Sequence, residues 1–158
     1  MATVDRQPDL VEHGDHWELP LAGRTVTRCL VDHAFGLQFW SPAAELELRI
    51  EGPFCLREPD GSEQAMEPEE IRSLAPALHL FQRKVSSARA YKDGRLEVLF
   101  TDGSSLRVVP AEQYEAWEMF GGGQRLVSSP GGELAVWCAP QKPHLDPLYA
   151  TMRHQLRK

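Results

Sequence analysis

The stretch Glu45-Leu46-Glu47-Leu48-Arg49-Ile50-Glu51 decides the reading of this chain. Apolar and charged residues alternate through it without exception. A strand turns successive side chains to opposite faces, so Leu46, Leu48 and Ile50 share one face and the charged groups share the other. This is the pattern of an antiparallel strand buried on one side only. Upstream, Phe35, Leu37 and Phe39 alternate with Gly36 and Gln38, and Trp40 points opposite to that apolar set. Val26 to Val31 is another strand-like run. Ser41-Pro42 and Gly52-Pro53 punctuate these runs before Phe54 and Leu56.

Further along, Pro59-Asp60-Gly61-Ser62 marks a turn. Pro68-Glu69-Glu70 opens a helix, because proline and acids suit a first turn. Ile71, Leu74, Leu78 and Phe81 recur at helical spacing, and Pro76 kinks or splits the segment. The β pattern then returns: Val85 to Tyr91, Leu96 to Phe100 and Leu106 to Val109 are separated by Asp93-Gly94 and Asp102-Gly103. Asp-Gly between strand-like runs is a strong hairpin signal, because both residues tolerate positive φ. Tyr114 to Phe120, Gly121-Gly122-Gly123, Leu126-Val127, Pro130-Gly131-Gly132 and Leu134 to Trp137 complete the pattern.

The expected fold is therefore α+β and predominantly antiparallel β, two successive β-meanders with one intervening helix. Val26 to Phe54 can be laid on Val85 to Tyr114 at an offset of about sixty residues. Leu37 then matches Leu96, Leu46 matches Leu106, Leu48 matches Val108 and Phe54 matches Tyr114. An internal duplication and the generic likeness of any two meanders both account for this. Residues 1–16 are polar and acidic and read as a mobile arm, 17–138 as one β-rich domain, and 139–158 as a proline-containing linker with a basic end. Leu148, Met152 and Leu156 sit four apart, which suits either a short docking helix or a frayed tail.

Composition narrows the function classes. The 158 residues carry 17 Lys and Arg against 23 Asp and Glu, a net charge of −6 that speaks against binding nucleic acid or anionic membrane. The charge is uneven. Asp5, Asp9, Glu12, Asp15 and Glu18 face only Arg6 near the start, whereas Lys142, Arg153, Arg157 and Lys158 face only Asp146 near the end. Three cysteines, Cys29, Cys55 and Cys138, make neither a disulfide framework nor a zinc motif. No signal peptide and no membrane-spanning run is apparent, so the cytoplasm is the expected location.

Local chemistry is sparse. His13 and His16 have H-x-x-H spacing without a third ligand, and Asp32-His33 has the local form of an oriented base without a nucleophile. Neither glycine-rich stretch has a phosphate-binding pattern, and none of Ser86-Ser87, Ser104-Ser105 or Ser128-Ser129 forms a nucleophile elbow. No catalytic residue, cofactor or metal is expected.

Two phrases, Tyr114-Glu115-Ala116-Trp117 and Pro130-Gly131-Gly132-Glu133-Leu134-Ala135-Val136-Trp137, carry a family resemblance. With the Leu96 to Gly103 hairpin, the chain from about Gly23 to Trp137 resembles small bacterial proteins grouped as a domain of unknown function. That resemblance implies a compact β-rich domain and supplies no activity. In size and acidity the chain is also similar to immunity proteins of bacterial toxin systems. The expected function is a non-catalytic protein-binding module, immunity- or accessory-like, with Trp40, Tyr114, Glu115 and Trp117 as its candidate partner surface. On a strand Glu115 and Trp117 share a face; on a helical turn Tyr114 and Trp117 do. The alternatives are a small-molecule binder or enzyme with a pocket between sheets, and a structural subunit of a homo-oligomer. Free strand edges make a homodimer one expected assembly.

Overall fold

The computed structural model describes residues 9–138. The first strand pair is β1 (Val11–Glu12) with β2 (His16–Glu18). A first meander follows: β3 (Arg28–Val31), β4 (Phe35–Trp40) and β5 (Glu45–Ile50). A hairpin of β6 (Phe54–Arg57) and β7 (Glu63–Met66) leads into a 3-10 helix, Ile71–Leu80. The second meander is β8 (Val85–Tyr91), β9 (Leu96–Phe100) and β10 (Ser105–Val108). A third comprises β11 (Trp117–Gly121), β12 (Gln124–Ser129) and β13 (Glu133–Cys138). The strands form a seven-stranded sheet, β1-β2-β8-β9-β10-β6-β7, and a six-stranded sheet, β13-β12-β11-β5-β4-β3. The fold is thus mostly antiparallel β with one short helix, as the alternation implies.

One hydrophobic cluster joins the two sheets. Phe35, Leu37, Phe39, Leu46, Leu48 and Ile50 are all fully buried from the six-stranded side. They meet Phe54, Leu56, Val98, Leu106 and Val108 from the other, and the Phe35 and Phe54 rings stack at 5.5 Å. The charged residues of β5 lie on its outer face, as the opening stretch requires.

The likeness between the halves has a topological form. The third strand of each meander pairs with the hairpin that follows the other meander: β5 with β11, and β10 with β6. Leu37 lies opposite Leu48, and Leu96 lies opposite Val108, so register as well as connectivity repeats. The proposed match of Phe54 to Tyr114 fails. Phe54 pairs with Val108, and the residue paired with the equivalent Leu48 is Met119. Tyr114 lies in the link between β10 and β11, which is longer than the Glu51–Pro53 link between β5 and β6.

Two further expectations are corrected. The acidic stretch before Trp17 is not an arm throughout, because Val11 pairs with Glu18, Glu12 with Trp17, and β2 continues onto β8. Ladder hydrogen bonds join backbone to backbone and need no apolar period, so this pairing left no mark on the side-chain pattern. The helix follows a different stripe from the expected one. Leu74, Ala77 and Leu80 are buried at intervals of three, whereas Ile71, Leu78 and Phe81 are exposed. Pro76 cannot donate the α-helical hydrogen bond, and three residues per turn is the 3-10 period. Residues 1–8 of the expected arm and the whole 139–158 segment lie outside the described residues.

Candidate functional site

Strand β4 sends Phe35, Leu37 and Phe39 into the core, so Trp40 emerges on the outer face of the six-stranded sheet with 61% of its surface exposed. Register carries that face across the sheet. Trp40 lies opposite Glu45, and the next row runs Gln38, Glu47, Phe120, Arg125, Trp137. Phe120 and Trp137 are both exposed. Four strand spacings separate β4 from β13, roughly 19 Å at the usual interval. The polar groups between the rings satisfy one another: Gln38 donates to Glu47 at 2.7 Å, and Arg125 bridges to Glu118 at 3.0 Å. Arg125 also lies over the Trp137 ring, 5.5 Å from its centroid. What this face leaves unmatched is aromatic surface.

The expected site residues do not form one patch. Trp40 opposes Glu45 at one end of β5, while Trp117 opposes Ile50 at the other, about 17 Å along the strand. Tyr114 and Glu115 are exposed in the link at the Ile50 end. Trp117 belongs to the interior. It begins β11 facing inward with Met119, is 1% exposed, and donates its indole N–H to the Gly94 carbonyl at 2.9 Å. The Tyr-Glu-Ala-Trp phrase is therefore split: two residues on the surface and two in the core. Phe120 and Trp137 were legible from the same alternation, which puts them opposite Met119 and Val136.

Tyr114 borders a cleft of about 470 Å³ with His33, Arg49, Glu51, Glu67 and Glu69. Arg49 holds Asp32 at 3.2 Å and Glu51 at 3.5 Å, so its charge is already matched. The Ala34 N–H bond at 2.7 Å and the Arg49 guanidinium hold the Asp32 carboxyl below the usual carboxylate range. That carboxylate is spent on the turn and on Arg49, so no hydrogen bond joins it to His33 and the oriented-base arrangement is absent. A second depression, about 430 Å³ and mostly apolar, opens on the outer face of the seven-stranded sheet around Cys55, Ala65, Tyr91 and Val109. The first cleft is bounded by residues of the six-stranded sheet, such as Arg49, and by residues flanking the β6–β7 hairpin of the other sheet, such as Pro53 and Glu67.

The pH response of the Asp32 contact has a defined sign. A carboxyl depressed by folding contributes stability above its unfolded pKa of about 3.9, and that contribution is lost as pH falls through the folded value. Asp32→Asn keeps a turn acceptor and removes the charge. The parent is expected to melt above the variant at pH 7, with the gap closing below about pH 4. Calorimetric melts from pH 7 to pH 3 check this; a gap constant to pH 3 contradicts it.

His13 and His16 stack with centroids 4.6 Å apart and planes 14° apart. Parallel rings direct their nitrogens side by side, and each is engaged by a carboxylate, His13 by Glu18 and His16 by Asp15. Among the described residues no group of three or more His, Cys, Asp or Glu is placed to hold a metal ion. Among them also, no helix is long and apolar enough to cross a membrane. Cys29 and Cys55 are half-buried and free, and burial pushes the Cys29 thiol pKa up.

No curated protein and no solved structure matches the chain. A family model does, over residues 17–138, the span that contains every strand from β3 to β13, all of β2 but His16, and every residue of the aromatic face. The chain belongs to the family of unknown function DUF6188.

Proposed function

We propose that this protein is a non-catalytic protein-binding module, immunity- or accessory-like, that engages its partner through the outer face of the six-stranded sheet. The observation that carries this reading is exposed Trp40 in one row and exposed Phe120 and Trp137 in the next, on the same face of one continuous sheet. Large aromatics held on strands lose little side-chain entropy on binding, and Trp is enriched among residues that dominate interface energy. Glu45, Glu47 and Glu133 around the rings favour a partner surface that is apolar with basic groups.

The test is tagged capture from native lysate with a Trp40→Ala, Trp137→Ala variant alongside. Both residues are mostly exposed, so the variant is expected to stay within about 0.5 kcal/mol of parental stability per site. One near-stoichiometric protein, retained by the parent and lost in the variant, is the expected result. Clean bait, or capture indifferent to both substitutions, overturns the reading. A second reading, a polar small-molecule site, draws on the Tyr114 cleft alone. A metabolite that raises the melting temperature of the parent but not of Tyr114→Phe would carry it.

A further inference from the structure

The outer face of the seven-stranded sheet has a hollow built by side-chain length. Register sets Arg89, Glu97, Arg107, Cys55 and Ala65 in one line across β8, β9, β10, β6 and β7. The first three side chains are long and the last two short, so the surface drops over β6 and β7. Val109, 63% exposed, and Pro53 extend this apolar floor, and Tyr91 stands at the far end. The depression holds about 430 Å³, within the range of roughly 300–1,000 Å³ of small-molecule sites. From Tyr91 on β8 to Ala65 on β7 is four strand spacings, roughly 19 Å. We infer that it binds a small amphipathic carboxylic acid, with its hydrocarbon over Cys55, Ala65 and Val109 and its carboxylate on Arg95 and Arg107.

The charge of the lining selects the acid. Arg95 and Arg107 border the depression against Glu97, a net +1, two minus one, on a chain whose net charge is −6. Arg107 lies opposite Glu97 in the β9–β10 ladder, and Arg95 precedes Glu97 by two residues. The two arginines are therefore diagonal neighbours, and their long side chains can reach one ligand group. Arg107 gives Glu63 one terminal nitrogen at 2.8 Å, and Arg95 gives Asp93 its Nε at 2.8 Å. The remaining N–H groups of both forks have no protein partner among the described residues. Arg95 is also held over the Tyr91 ring, 4.4 Å from its centroid, which places its guanidinium at the edge of the floor. Free guanidinium donors match the two oxygens of a carboxylate. Glu97 accepts only, and Arg89 lies opposite it to offset its charge. The Tyr114 cleft differs on this point: its single arginine, Arg49, is matched by Asp32 and Glu51.

The depression lies on the sheet opposite the aromatic face and its test needs no partner protein, so the outcome is independent of the partner reading. Maleimide labelling of the full chain is followed by peptide mass mapping, with sodium decanoate below its micelle concentration or with decanol. Cys55 lies in the floor and Cys138 is exposed elsewhere, so the second thiol is an internal control. Decanoate is expected to slow labelling of Cys55 about tenfold at roughly ten times its Kd, because only the free site reacts, and to leave Cys138 unchanged. Amide shifts at Cys55, Ala65 and Val109 on adding decanoate give the same reading where the thiol labels slowly. An Arg95→Gln, Arg107→Gln variant is expected to keep the parental melting temperature and lose the protection. No protection of Cys55 and no shifts overturn the inference. Equal protection by decanol, or protection unchanged in the variant, overturns it as well, because the arginines then recognise nothing. Labelling of Cys55 that slows as protein concentration rises, without decanoate, assigns the hollow to a second copy and overturns it too.

Discussion

Gly121→Ala is expected to destabilise the protein by about 4 kcal/mol. Gly121 ends β11 at φ +128, a conformation that L side chains rarely adopt. A Cβ there would stand 2.1 Å from the Glu45 carbonyl oxygen and 3.0 Å from the Leu46 Cα. Both are backbone atoms of β5, which is held between β4 and β11, so neither can swing away as a side-chain tip would. The clash falls on the β5–β11 ladder, where the first meander joins the third to make the six-stranded sheet. Gly131→Ala is the control: its φ is +88, but no atom lies within 4 Å of the added carbon. It carries the conformational cost alone, about 1 kcal/mol. Urea unfolding compares the two; midpoints within experimental error of each other would contradict the steric account.

Trp117→Ala is expected to cost about 3–5 kcal/mol, the range for emptying a fully buried aromatic site. Its indole fills the interior where β11 begins, and its N–H bonds the Gly94 carbonyl in the β8–β9 turn of the other sheet. Ser128 Oγ donates to the same oxygen at 2.9 Å from β12. One carbonyl of the seven-stranded sheet is thus tied to two strands of the six-stranded sheet. Trp117→Phe should cost less, about 1–2 kcal/mol, because the ring volume is largely kept and Gly94 retains the Ser128 bond. Denaturant midpoints for the series parent, Phe, Ala check the order. Equal losses for Phe and Ala would mean that the hydrogen bond, not the packing, carries the site. Any partner-binding loss in Trp117→Ala would follow from unfolding, which is why Trp137 is the informative companion of Trp40.

The candidate surface was half legible. Trp40 stood out because Phe35, Leu37 and Phe39 claim the opposite side of the same strand. Tyr114, Glu115 and Trp117 were singled out as one phrase, and the structure parts them. The chain is irregular through Glu115 and enters β11 only at Trp117, so neither a two-residue nor a three-residue period applied across the phrase. The helix shows the same kind of shift. Pro68-Glu69-Glu70 lie just ahead of the helix and not in its first turn, and with Pro76 inside it the period is three and the buried stripe is Leu74, Ala77 and Leu80.

By itself the sequence determined what is local: the twelve residues of β4 and β5 with their faces assigned, the Asp-Gly hairpins, the predominance of antiparallel β, and the outward turn of Trp40. These follow from chain geometry and from turn chemistry, which act within a few residues. Only the tertiary structure decided that β5 takes β11 and β10 takes β6, that Trp117 bonds Gly94, and that Trp40, Phe120 and Trp137 share one face. Each of these joins residues far apart in the chain. Such pairings are selected by the burial of a whole sheet face against another, and no window of sequence contains both partners.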